Sequence, residues 1–161
     1  MRAIKKKSVL AVGGSVTYLT KDKYFEKYLN HNQRGVNKYQ LYDQLCFEHL
    51  LFLNCMIHCS VFQKISFDLK FISYGGKELD FSNRISKTFP NSMIACKQAH
   101  VTRVDFPDFK NHCLRLHEFG FNNFNLLSCD LKKKVVRWSF FLNNFLICRF
   151  FVWAGLHLSL K

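Results

Sequence analysis

The sequence predicts an α+β domain whose elements run β-α-β-α-β, an open-faced sandwich with helices on one side of a sheet. Three observations carry that expectation. Ile65-Ser66-Phe67-Asp68-Leu69-Lys70-Phe71 alternates apolar and polar residues with period two, the pattern of a half-buried strand. Lys77 to Phe89 places Leu79, Ile85 and Phe89 at helical spacing and stops at Pro90-Asn91-Ser92. Asp105-Phe106-Pro107-Asp108 reads as a helix start, with Asp105 able to cap free amides and Pro107 losing no helical hydrogen bond in the first turn.

In chain order, residues 1–20 are basic and then β-prone, an arm or short strand broken by Gly13-Gly14. Tyr24, Phe25, Tyr28 and Leu29 recur at helical spacing, and Asn30 to Gly35 is a polar break. Tyr39, Tyr42, Leu45, Cys46, His49, Leu50, Leu53 and Met56 trace one face of an expected second helix. After the Ile65–Phe71 strand, Gly75-Gly76 turns the chain into the Lys77–Phe89 helix, and Met93–Val101 is a second strand. Phe109, Cys113, Leu116 and Phe119 form the inner face of the following helix, which Gly120 closes in a left-handed cap. Phe124–Cys129 is the third strand. Beyond Lys132-Lys133-Lys134, the runs Val135–Leu142 and Phe145–Val152 flank Asn143-Asn144 and suggest a hairpin, because Asn tolerates positive φ. The expected organisation is a helical extension over residues 1–62, an α+β domain over 63–131 and a basic, aromatic, hairpin-like extension over 132–161.

Charge narrows the function classes. The 161 residues carry 24 Lys and Arg against 11 Asp and Glu, a net +13. Such an excess opposes compaction unless a polyanion neutralises it, with nucleic acid the first candidate and an anionic membrane the second. The middle is nearly balanced, whereas residues 132–161 hold six basic and no acidic side chains. Eighteen Phe against two Pro and five Ala matches the codon bias of an AT-rich organelle genome. Val9–Val12 is too short for the apolar region of a signal peptide, and the seven Cys are irregularly spaced, so reduced, buried thiols are expected rather than a disulfide framework. Cys46, Cys55 and Cys59 with His58, and Cys113 with His112 and His117, lack the second matching pair of a zinc or iron–sulfur site; no metal or other cofactor is expected. No Gly-rich phosphate loop, Gly-x-Ser-x-Gly or His-Glu-x-x-His occurs, so an enzyme is not expected.

Met93-Ile94-Ala95-Cys96-Lys97-Gln98-Ala99-His100-Val101-Thr102-Arg103 resembles a stretch of the universal small-subunit ribosomal protein ten family. There a strand ends in a basic residue followed by Ser-Pro-His-Val, an acidic residue and Lys. Lys97 stands at the basic position, His100-Val101 at the His-Val and Arg103 at the Lys, while Gln98-Ala99 replaces Ser-Pro. Asp105 stands at the family's helix cap and Phe109 at its following Phe. Ile65–Lys70 resembles the family's first strand, and Leu79 and Asp80 its helix start. The resemblance covers residues 64–130, and the family's long loop with a Pro-Leu-Pro motif is shortened here to Pro90-Asn91-Ser92. It implies a ferredoxin-like sandwich placed in the head of a small ribosomal subunit.

The expected role is therefore structural: binding small-subunit ribosomal RNA and neighbouring ribosomal proteins in the mitochondrial matrix, organelle-encoded, with no small-molecule substrate. The RNA-binding residues expected are Lys97, His100, Arg103, Lys70, Lys5, Lys6, Lys7, Lys132, Lys133 and Lys134. Before the Phe109 helix, free amides and a positive dipole add a possible phosphate seat. The alternative is an accessory subunit of an inner-membrane complex anchored by residues 138–160, against which Arg149, Asn143, Asn144 and His157 count.

Overall fold

Ala11-Val12-Gly13-Gly14-Ser15-Val16-Thr17-Tyr18 forms β1, and it is the centre of the sheet rather than an arm. In the computed structural model, which describes residues 9–104 and 108–143, β1 lies between β2 (Cys55–Ile57), antiparallel to it, and β3 (Met93–Arg103), parallel to it. The fold is α+β, with this three-stranded mixed sheet and five helices among the described residues. Because β1 pairs with β3, no boundary near residue 62 divides the sheet. Gly13-Gly14 does not break the strand; it lets neighbours approach. A Cβ on Gly13 would lie 2.7 Å from Leu45 Cδ2, and one on Gly14 would collide with the Asn54 amide and the Ala99 carbonyl.

Helix α1 (Lys23–Leu29) forms where expected. Asp22 Oδ1 accepts from the Tyr24 and Phe25 amides, which satisfies the helix start. Asn30 ends the helix and ties it to the sheet, donating to Tyr18 O and accepting from Tyr18 N, each at 2.8 Å. The second helix expected between Tyr39 and Met56 is absent. Tyr42 takes φ 65°, a value that interrupts a helix, and the segment instead bonds to β3: Tyr42 N donates to Ala95 O, and Leu45 N to Met93 O. A 3-10 turn at Phe47–His49 then leads to β2.

Ile65–Phe71 is not a strand. After the short helix α2 (Cys59–Phe62), Ile65 N still bonds to Val61 O, and Asp68 accepts from the Lys70 amide in a local turn, so no ladder can form. Ile65 and Phe71 are buried all the same, whereas Leu69 of the same expected face is exposed. Gly75 and Gly76, at φ 83° and 86°, make the expected turn into α3 (Lys77–Thr88), which ends before Pro90 as expected. Phe81 is the centre of the core: fully buried, it stacks on Phe67 at 4.3 Å and Phe62 at 5.5 Å and meets Phe52 edge-on at 6.0 Å. Ile85, Phe71 and Leu131 complete it.

Helix α4 (Phe109–Glu118) is capped by Asp108, whose side chain accepts from the Asn111 amide; Asp105–Pro107, the expected cap, lies outside the described residues. Gly120 is not a left-handed cap. The helix runs on into a π turn over Phe119–Asn123 and a 3-10 turn over Phe124–Leu126, so the expected third strand is absent. Buried Asn123 holds this segment by donating to the carbonyls of Ser73, Tyr74 and Gly75 at 2.7–3.1 Å. The β-α-β-α-β order is thus not realised with the expected strands. Nor does the tail begin as a hairpin: α5 (Cys129–Asn143) is helical through Val135–Leu142, and Leu131 and Val135 join the core. Phe145–Val152 lies outside the described residues.

Candidate nucleic-acid interface

Halfway along β3 the ladder is interrupted. Gly14 pairs with Cys96 but Ser15 pairs with His100, so Lys97, Gln98 and Ala99 bulge out of register. A polar knot holds the bulge. Ser15 Oγ donates to Lys97 O at 2.9 Å, Asn54 Nδ2 donates to Ser15 O and Ala99 O at 2.8 Å each, and Gly14 N donates to Asn54 O at 2.9 Å. Only a glycine at 14 leaves room for it. Past the bulge the side chains of β3 are mostly exposed. Lys97 Nζ reaches Asn37 O at 3.3 Å, His100 Nε2 meets Thr17 Oγ1 at 2.9 Å, and Arg103 closes the strand opposite Tyr18.

The parallel pair ends among cations and aromatic rings. Arg34 and Arg103 both act on Tyr18, whose phenol burial pushes above its ordinary value against their pull. The Arg34 guanidinium lies 4.4 Å from the centre of the Tyr28 ring, and that of Arg115, on α4, lies 5.3 Å from the centre of the Tyr74 ring. His112 packs against Phe25 at 5.2 Å. Burial, then the charges of Arg34 and Arg115, hold its imidazole below the ordinary histidine value. The acids at this end are engaged: Glu118 accepts from Tyr74 N, and Glu26 from Thr20 N and Lys23. Three arginines offer phosphate contacts beside half-exposed Tyr28 and Tyr74, whose rings carry the Arg34 and Arg115 guanidinium groups.

The residues expected to bind RNA separate into groups. Lys97, His100 and Arg103 lie on the outer half of β3 but not on one face: His100 meets Thr17, whereas Arg103 acts on Tyr18, the next residue of β1. Lys70 does not join them: it pairs with Asp68 at 2.8 Å and lies over Phe71. Lys134 pairs with Glu48 at 2.8 Å and covers Phe47, while Lys132 and Lys133 sit in the first turns of α5 rather than on a hairpin. Lys5, Lys6 and Lys7 lie outside the described residues. The start of α4 is already occupied by the Asp108 carboxylate, which opposes the phosphate expected there. Sequence reasoning missed Arg34, Arg115, Tyr28 and Tyr74. Tyr28 was read as one of a helix's apolar face and Arg34 as part of a polar break; only the fold places them side by side.

Among the described residues, no three His, Cys, Asp or Glu side chains gather in a metal-binding group. Cys46 and Cys59 are exposed, and Cys55 is half-buried, with burial raising its thiol pKa. Among the described residues, no helix is long and apolar enough to cross a membrane. No protein-family model, curated protein or solved structure matches the chain.

Proposed function

We propose that this chain is a structural protein of a mitochondrial small ribosomal subunit, resident in the matrix, that binds ribosomal RNA and neighbouring subunit proteins and performs no catalysis. The observation that carries the reading is the cluster of Arg34, Arg103, Arg115 and His112 with Tyr28 and Tyr74 at the ends of β1 and β3. The +13 charge supports it, since folded RNA supplies the counter-charge. The resemblance to the universal small-subunit ribosomal protein ten family supports it through Met93–Arg103, which is a strand, and not through Ile65–Lys70, which is not. A ferredoxin-like sandwich belongs to the same proposal, supported by the strand–helix–strand order of β1, α3 and β3; the direct parallel pairing of β1 with β3 counts against it, because a split β-α-β places another strand between its parallel pair. Helix α4 has no fully buried residue, and exposed Phe109, Leu114 and Leu116 suit a neighbouring protein.

The test is RNA binding by the full chain over a range of salt. Changing Arg34 and Arg115 together to Gln is expected to reduce the slope of log affinity against log salt by roughly 1.5–2, because two phosphate contacts are lost. An unchanged slope, or retention in the membrane pellet after a carbonate wash in place of co-sedimentation with small subunits, overturns the reading.

A further inference from the structure

A cleft of about 630 Å³ opens beside the arginine–tyrosine cluster, between β1, α1 and the 31–37 turn. Its floor is apolar, formed by buried Val16, Leu29 and Val36. Tyr18 and Tyr28 line its side, and Arg34, held over Tyr28, stands at its edge. The one acid lining it, Glu48, accepts from Lys134 Nζ at 2.8 Å, which offsets its charge toward an anionic guest. The volume falls in the range of small-ligand sites, too small for a helical duplex and ample for one nucleotide. An apolar floor with an aromatic side and a guanidinium at the mouth matches a nucleotide part by part: base, then phosphate.

We propose that this cleft receives one unpaired nucleotide of the bound RNA, its base over the apolar floor and taking the Tyr28 face that Arg34 now covers, its phosphate drawing the Arg34 guanidinium off that ring. This deepens the RNA-binding reading and rests on it. The electrostatic cluster attracts any RNA backbone, whereas the cleft selects RNA that can present a base outside a helix. A fully paired duplex keeps its bases stacked and cannot fill the cleft without the cost of extruding one.

The experiment compares the full chain's affinity for two RNAs of equal length, a perfect duplex and the same duplex with one bulged nucleotide replaced by 2-aminopurine. The bulged RNA is expected to bind about tenfold more tightly, in line with one base stacking on an aromatic face, and its fluorescence to change on binding. Tyr28→Ala, at a half-exposed site, is expected to abolish both the preference and the fluorescence change. Leu51→Trp, which fills the cleft from its lining, is expected to do the same while duplex affinity stays within about twofold. Equal binding of the two RNAs, or a preference that survives both variants, overturns this proposal and leaves the RNA-binding reading standing. Failure to bind either RNA overturns both.

Discussion

Met93 and Ala95 at the start of β3 are 2% and 0% exposed, whereas Lys97 to Thr102, a few residues further along, face outward. The residues before the bulge and those after it both pair with β1, so pairing does not separate them. What separates them is the second edge. Tyr42–Leu45 lies along the first half and bonds to Met93 and Ala95, and the aromatic core centred on Phe81 joins the same buried cluster. At Lys97–Ala99 the bulge takes the strand away from that cover, and the polar residues beyond it form a surface. One strand thus runs from core to exposed surface, and three inserted residues mark the change. The lesson is that a bulge fixed by Asn54 and Gly14 changes a strand's exposure as sharply as a chain break would.

The largest disturbance falls on the covered half. Phe81→Ala removes the ring on which Phe67 and Phe62 stack, and is expected to cost about 4 kcal/mol of stability by denaturant unfolding. RNA affinity of the fraction still folded should change little, because the outer half of β3 does not touch this ring; a parallel loss of affinity would show that the halves are not independent. A middle-sized effect is expected at the junction. Asn54→Ala deletes two hydrogen bonds, to Ser15 O and Ala99 O, and is expected to cost about 2 kcal/mol while altering RNA binding as well, since the bulge that displays Lys97 loses its anchor. Amide exchange at 97–100 faster than in the parent chain would confirm the anchor; unchanged exchange would remove it from the account.

The smallest effect concerns the outer end. His112 is held below the ordinary histidine value of 6.5 by burial and by Arg34 and Arg115. The folded chain therefore binds this proton less readily than the unfolded chain. Its contribution to stability is present above about pH 6.5 and is lost as pH falls through the depressed folded value. Between pH 7 and 5 the melting temperature of His112→Gln should fall less than that of the parent chain. An equal fall would assign the acid sensitivity to other groups, such as His49, which burial and the charge of Lys38 also lower.

Local signals that were self-sufficient could be read directly. Helix α3 has apolar residues at helical spacing, a Gly-Gly entry and a proline stop; α1 has an aspartate cap and an asparagine end; β3 begins in a run of small and apolar residues. Where the signal was periodicity alone, it revealed burial without geometry. Ile65 and Phe71 are buried, but Leu69, which the alternation puts on the same face, is 88% exposed, because Asp68 turns the chain between them. Tyr39–Met56 supplies Leu45 and Leu50 to the core as an apolar helix face would, yet an irregular backbone carries them there because its amides bond to β3. Of the expected site residues, only the shared strand of Lys97, His100 and Arg103 was legible, because they are close in sequence. Arg34 and Arg115 were not, because 81 positions separate them in the chain and only folding brings their charges onto His112.

The residues alone determined that the chain is α+β, that it is strongly cationic, and where α1, α3 and β3 lie, because capping, periodicity and charge are properties of neighbours in sequence. Tertiary structure alone decided that Ala11–Tyr18 is the central strand, that Ile65–Phe71 and Phe124–Cys129 are not strands, and that the arginines and tyrosines meet at one end of the sheet. Strand partners and surface clusters depend on which distant groups satisfy the same hydrogen bonds and bury the same faces, and that competition is settled only when the whole chain packs.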